Sequence, residues 1–194
     1  MAHKRKIIVH IATSADGFIA RPDGSVDWLD RPGPKGNYGM GAFYKSIDTI
    51  LWGRKTCDMA LDFQKKGVPG SAFDTKVKNY VFTRGLTESP PAGVEFVSEP
   101  IKTFATRLRR KKGKDIWMMG GAGIIASFLD EGEIDEFMIH VIPTFLGEGI
   151  PLIAPGHRTV PLKLISCTKF TDGVVMLHYA VRKRSVKSRT PGSG

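Results

Sequence analysis

Two rhythms of apolar residues alternate along the chain. Ile7-Ile8-Val9-His10-Ile11-Ala12, within Lys6 to Thr13, is an unbroken run, the mark of a strand covered on both faces. Thr49–Trp52, Val77–Phe82, Val94–Val97, Ile116–Met119 and Ile134–Ile142 read the same way. Between them the spacing changes to that of amphipathic helices. The first helix is expected at about Met40–Ser46, and the second buries Cys57, Ala60 and Leu61. The third carries Ile101, Phe104, Ala105 and Leu108 on one stripe, and the fourth Ile124, Ile125, Phe128 and Leu129. Ser98 is expected to cap the third, with Pro100 in its first turn, and Gly132 to end the fourth. Residues 21–40, 85–93 and 143–151 are loops. The chain closes with two strands, about Leu162–Phe170 and Val174–Arg182, joined at Asp172-Gly173, a strong hairpin signal. Strands alternating with helices predict an α/β domain with a mostly parallel sheet, the hairpin adding antiparallel strands at its edge.

Composition narrows this picture. With 194 residues, 41% hydrophobic and 25% charged, the chain suits one globular domain, residues 1–182, and a basic tail, residues 183–194. No signal peptide and no membrane-length apolar run is evident, so a cytoplasmic location is expected. Cys57 and Cys167 are far apart and make no metal-ligand spacing. The net charge of +10 is concentrated at the C-terminus, where Arg182, Lys183, Arg184, Lys187 and Arg189 supply five charges with no acid. That tail composition predicts disorder. A second cluster, Arg107 to Lys114, closes a helix and is expected to be its solvated face, favoured there by the helix dipole. Nucleic acid is therefore not an expected partner, because a basic patch without a binding motif is only an electrostatic footprint.

Chemistry concentrates where strands end. Gly53-Arg54-Lys55-Thr56 opens the second helix, Thr83-Arg84 follows the third strand, and Gly120-Gly121-Ala122-Gly123 opens the fourth helix at Ile124. Helix N-termini present backbone N–H groups at the positive end of the dipole, and glycine lets a phosphate approach them closely. Parallel strands would bring all three corners to one sheet edge, where an elongated, multiply charged dinucleotide could lie. No acid occupies Phe137 to Pro143, where an NAD-selecting carboxylate would fall, so NADP is favoured over NAD. His10, inside the first strand, is expected to be a hydrogen-bonded core residue. Asp16-Gly17 follows that strand's end, the edge at which open α/β sheets bind ligands.

Ile50 to Thr56, Thr83-Arg84 and Met119 to Gly123 resemble, in order and spacing, the cofactor-binding segments of the dihydrofolate reductase superfamily. Ser14-x-Asp16-Gly17-x-Ile19-Ala20 and Leu146-Gly147-Glu148-Gly149-Ile150-Pro151-Leu152 resemble the branch related to the reductase domain of bacterial riboflavin biosynthesis proteins. The resemblance runs from about Lys6 to Val181. It implies a three-layer αβα sandwich with a mixed, mainly parallel sheet, and often a homodimer. It also implies that Arg54 and Arg84 hold the 2′-phosphate or adenine end of NADPH. Lys55, Thr56 and the backbone from Gly120 to Ile124 would take the pyrophosphate, while Ala12 and Ile19 would lie against the nicotinamide and Asp16 would face the substrate. Dihydrofolate reductases carry a carboxylate on the first helix that orients the pterin. Gly39-Met40-Gly41-Ala42-Phe43-Tyr44 has no acid there, which leaves the substrate open.

The expected activity is hydride transfer from NADPH to a small flat heterocycle of the pterin, pyrimidine or flavin-precursor kind, the protein supplying placement and electrostatics. Asp16 is the first candidate for positioning the substrate or its proton, with Asp27 and Glu148 behind it. Trp28, Phe43 and Trp52 are candidates for stacking on the ring, with core packing as the alternative. The rival reading is a non-catalytic NADP-binding sensor or partner-binding module.

Overall fold

The unbroken apolar runs become the interior of one eight-stranded sheet in the computed structural model, which describes residues 4–31, 37–67, 73–85 and 89–182. The tail at 183–194, with its expected disorder, lies outside the described residues. In chain order the elements are β1 (Ile7–Ser14), β2 (Phe18–Ala20), a 3-10 turn (Asp27–Leu29), α1 (Met40–Ser46), β3 (Ile47–Gly53), α2 (Arg54–Lys65), β4 (Lys78–Phe82) and β5 (Val94–Val97). There follow α3 (Ile101–Arg110), β6 (Asp115–Gly120), α4 (Ala122–Asp130), β7 (Glu136–Ile142), β8 (Ile150–Pro151), β9 (Leu162–Lys169) and β10 (Val175–Val181). The sheet runs β5-β4-β3-β6-β1-β7-β10-β9. Pairings from β5 through β7 are parallel, and β10 lies antiparallel to both β7 and β9.

β1 sits at the centre, which is why its run has no polar alternation. Ile7 and Val9 face α3 and α4, where they meet Phe104, Leu108, Ile125 and Phe128. Ile8 points the other way, into a cluster with Phe43 of α1, Cys57 of α2 and Trp117 of β6. Successive strand residues point to opposite faces, so two helical layers need a strand apolar at every position. Edge-to-face contacts of Phe82 with Phe104 and Phe128, at 5.0 and 5.1 Å, tie β4 to α3 and α4. Phe104 and Phe128 are fully buried, and each such side chain contributes about 1.5–3 kcal/mol. The three-layer αβα sandwich, the mainly parallel sheet and the C-terminal antiparallel hairpin are all present. The hairpin closes as expected at Asp172-Gly173, where Gly173 has φ +88° and Phe170 N–H donates to Val174 O at 2.8 Å.

Some local expectations are corrected. Ser98 does not cap α3: the N-cap residue is Pro100, and no side chain bonds to that end. The Arg107–Lys114 cluster is not simply a solvated face. Arg109 is only 10% exposed and its Nη1 reaches Asp135 at 2.6 Å, joining α3 to the segment before β7, while Arg107 pairs with Glu99. Sequence patterning also missed the short β2–β8 pair, because three residues and two residues are too few to show a period. It did not foresee how exposed the far edge would be, where all eight residues of β9 face solvent.

Candidate active site

The strand order places β4, β3 and β6 side by side and parallel, so their C-terminal ends share one rim. There the β3–α2 and β6–α4 corners touch. A methyl group on Gly53 would lie 3.2 Å from Ile124 Cγ2 and 3.4 Å from the Gly120 carbonyl oxygen. Gly120 has φ +112°, a conformation L side chains rarely adopt, and its peptide bond to Gly121 is cis. A methyl on Gly121 would meet Thr56 Oγ1 at 3.1 Å and Ile19 Cδ1 at 3.9 Å, so β2, α2 and the glycine turn converge on one spot. Neither α2 nor α4 has a side-chain cap, and their first-turn N–H donors therefore open onto this rim. Arg54 Nε holds Asp58 at 2.7 Å with its guanidinium over the Phe96 ring, and Lys55 and Arg84 are exposed. Thr83 hydroxyl donates to Gly85 O at 3.0 Å. These residues fit a multiply phosphorylated dinucleotide: uncapped amides, glycine corners without β-carbons, and cations alongside.

Next to the rim a cleft of about 730 Å³ opens on the α1 side of the sheet. Its floor is His10 and Ala12 of β1, Trp117 and Met119 of β6, and His140 and Ile142 of β7. Leu29, Tyr38 and Met40 form a wall, with Arg31 and Asp172 also lining the space. Asp172 accepts hydrogen bonds from the Tyr38 hydroxyl and the Arg31 guanidinium, which hold its carboxyl below the usual carboxylate range. Burial pushes His10 down to about 3, helped by His140 and His178, and burial lowers His140 as well. Both imidazoles are therefore neutral near pH 7. His10 is 3% exposed, and neither ring nitrogen has a hydrogen-bond partner among the described residues. That overturns its reading as a satisfied core histidine.

Ala12 lines the cleft and Ile19 lies against the glycine corner. Asp16 is exposed at the end of β1 but has another task. Its carboxylate accepts the Ser14 hydroxyl, Leu146 N–H at 3.1 Å and Gly147 N–H at 2.7 Å, which anchors the 144–150 loop and lowers its pKa. Asp27 pairs with Arg21 at 2.7 Å. Glu148 is exposed on the loop. Trp28 is buried with Ile142 and Val174, while Trp52 donates its indole N–H to buried Asn79 at 3.1 Å. Phe43 packs edge-on against His10 at 4.2 Å. The structure thus brings the glycine corners together and leaves Asp16, Asp27, Trp28, Phe43, Trp52 and Glu148 outside the cleft lining. His140, Arg31 and Asp172 escaped sequence reading: the first sits in an apolar run, the second lies in a long loop, and the last reads as a turn residue.

The family model of the RibD C-terminal domain matches residues 5–176. The chain belongs to the RibD C-terminal domain family. Among its relatives, the uncharacterized protein YwjB of Bacillus subtilis is 39% identical over 176 residues, covering 91% of this chain and 98% of YwjB. A crystal structure from Shewanella sp. PV-4, named for riboflavin biosynthesis, superposes with a TM-score of 0.80 at 28% identity, covering 92% and 99% of the two chains. The Thermotoga maritima diaminohydroxyphosphoribosylaminopyrimidine deaminase/5-amino-6-(5-phosphoribosylamino)uracil reductase gives 0.67 at 17% identity, over 92% of this chain and 57% of its own. Enterococcus faecalis dihydrofolate reductase, solved with NADP(H), gives 0.62 at 14% identity over 94% and 100%. RibD C-terminal domains and dihydrofolate reductases thus share this fold, a reductase-type architecture. Among the described residues no helix is long and apolar enough to cross a membrane.

Proposed function

We propose that this chain is an NADPH-dependent reductase that delivers hydride to a small heterocycle held in the cleft. One observation supports the reading: the glycine and cation corners of three adjacent parallel strands share a rim, and Met119, the residue before Gly120, lines the adjoining 730 Å³ cleft. The nucleotide would span the rim, with Arg54 and Arg84 at the 2′-phosphate or adenine end. Lys55, Thr56, Thr83 and the turn from Gly53 and Gly120 through Gly121, Ala122, Gly123 to Ile124 would surround the phosphates. NADPH supplies the hydride when bound. Ala12 and Ile19, lacking polar atoms, exclude water where the nicotinamide would meet its acceptor.

Asp16 keeps the cleft's neighbouring loop in place rather than holding a proton, since its oxygens are engaged and its pKa is lowered. Asp172, the one carboxyl among the described lining residues, is likewise held ionised. The proton that completes reduction therefore comes from solvent at the cleft mouth. A second reading, an NADP-binding sensor without turnover, is favoured by one feature: α1 puts Phe43 toward the sheet and has no carboxylate. A cytoplasmic homodimer is the expected working form.

Fluorescence titration with NADPH and NADH, followed by a screen of pterins, pyrimidines and quinones for loss of NADPH absorbance, tests both readings. Saturable oxidation establishes the reductase. Tight NADPH binding without any oxidation favours the sensor, and equal or absent binding of the two nucleotides overturns both.

A further inference from the structure

A buried polar atom with no partner costs about 1–3 kcal/mol, so native folds rarely leave one without reason. His10, in the floor of the cleft, leaves two among the described residues. The neighbouring rings do not satisfy them: Phe43 lies edge-on at 4.2 Å, Trp117 at 6.2 Å gives its indole N–H to the His10 backbone carbonyl, and His140 lies at 4.9 Å. The imidazole thus sits among rings at the cleft floor with its hydrogen-bonding capacity unused among the described residues.

The neighbouring histidine fixes the polarity of the floor. His140 Nε2 lies 3.1 Å from the Tyr38 carbonyl oxygen, which can only accept, so Nε2 carries the proton and Nδ1 is a bare acceptor. His10 adds one donor and one acceptor in either neutral tautomer. Two acceptors against one donor make a floor that asks for N–H groups. The charges in the described lining, Arg31 and Asp172, are paired with each other, so the cleft offers no unbalanced charge there.

We propose that His10, with His140, is the substrate-recognition pair of the cleft, and that it selects an uncharged, planar heterocycle with ring N–H groups in a lactam edge. This rests on the cleft being the substrate site of the proposed reductase, and it sets the chain apart from relatives named for a phosphoribosyl substrate. A ring N–H donates to a neutral imidazole nitrogen, while Trp117 and Met119 supply apolar surface for the ring face. His10 is a binding residue here, and proton delivery does not pass through it.

The test is binding, measured with and without NADPH, so that it can succeed or fail independently of turnover. Lumazine, which has two lactam N–H groups, is titrated against 1,3-dimethyllumazine, which has neither, and against uridine 5′-monophosphate. The expected result is lumazine binding at least about tenfold tighter than the dimethyl analogue, the scale of one buried hydrogen bond lost. His10→Phe should bring lumazine down to the level of the dimethyl analogue and leave the latter unchanged. His10→Gln, which keeps an acceptor, should recover part of the difference. With a substrate found by the oxidation screen, His10→Phe should raise KM with kcat nearly unchanged. Equal binding of the two lumazines, absence of lumazine binding, undiminished binding by correctly folded His10→Phe and His10→Gln proteins, or a preference for uridine 5′-monophosphate would each overturn the proposal. So would a crystal structure of the lumazine-soaked protein showing only a water molecule on His10. Absence of NADPH oxidation across the whole substrate screen, with lumazine binding intact, would refute the reductase and leave this recognition standing.

Discussion

Asp16 and Gly147 are joined by a 2.7 Å hydrogen bond from the loop amide to the carboxylate, linking the end of β1 to a residue 131 positions later. Leu146 donates to the same carboxylate and packs its side chain with Trp28 and Ile142, and Ile142 lines the cleft. The aspartate therefore fixes a wall of the candidate site. Replacing it by Ala should speed hydrogen exchange at the Leu146 and Gly147 amides by about tenfold or more, Asn having the smaller effect because one acceptor oxygen remains. The folded pKa is lowered from 3.8, so the carboxylate's contribution is complete above that value and is lost as pH falls through the lower, folded one. Loop exchange should accordingly rise only below about pH 4 in the wild type. Unchanged exchange in Asp16→Ala would remove the anchor role.

Arg84 stands exposed just beyond β4, next to the rim. If it meets the extra phosphate, Arg84→Ala removes a charge-assisted contact of about 1.5–3 kcal/mol, or about 10- to 100-fold in Kd. NADPH affinity should fall by that factor and NADH affinity hardly at all. Equal losses for both nucleotides would place Arg84 elsewhere on the cofactor or off it.

The fold was legible because burial imposes periodicity. Ile7 to Val9 had to be apolar throughout to sit between two helical layers, and the strand-to-helix corners had to carry glycine where Gly53 and Gly120 touch. The cleft was not legible for the same reason. His10 and His140 occupy strand positions that look like any interior position, and only the register of β1 against β7 puts them on one face. Arg31, Tyr38 and Asp172 meet across more than 130 residues of sequence, a juxtaposition no local pattern encodes. Asp16 was conspicuous as an acid at a strand end, yet the amides that engage it belong to a distant loop.

His10 makes stability depend on pH in a direction the geometry sets. Its folded pKa is pushed down to about 3 from 6.5, chiefly by burial among Phe43, Trp117 and His140, with His178 adding to it. A base that folding keeps neutral contributes fully above the unfolded value and progressively less as pH falls from 6.5 toward 3. Unfolding free energy measured in urea should thus decline below pH 6.5, with up to about 1.4 kcal/mol per pH unit from this residue. His10→Phe should flatten that decline without abolishing it, since His140 is shifted the same way. An unaltered pH slope in the variant would show that His10 is solvated in solution.

Arg109 is the helix α3 cation that matters for folding. It reaches Asp135 at 2.6 Å and Glu133 at 3.4 Å and donates to the Arg5 and Glu133 carbonyls, with 10% of its side chain exposed. Truncating it removes the cation that two partly buried acids share, a loss of about 3 kcal/mol. For a domain of this size that lowers Tm by roughly 10 °C. Arg107→Ala, whose pair with Glu99 is more exposed, should cost well under half as much. Similar melting of the two variants would refute the distinction.

The far edge of the sheet argues for a partner. Strand β9 ends the sheet, exposes all eight of its residues, and leaves Leu162, Leu164 and Ile165 41%, 51% and 49% exposed. The register with β10 skips Ile165, a bulge of the kind that blunts an edge. Neighbouring large apolar groups on such an edge are nevertheless costly to leave in water, at about 25 cal/mol per Å². A second copy would cover them, consistent with the homodimer expected for this chain. Sedimentation should then show a dimer for the wild type and a monomer for Leu164→Glu/Ile165→Lys, with far-UV circular dichroism unchanged because neither side chain belongs to the core. The wild type should also melt at a temperature that rises with protein concentration, as dissociation is coupled to unfolding. A wild type that sediments as a monomer at high concentration would show that β9 tolerates solvent and that the dimer is absent.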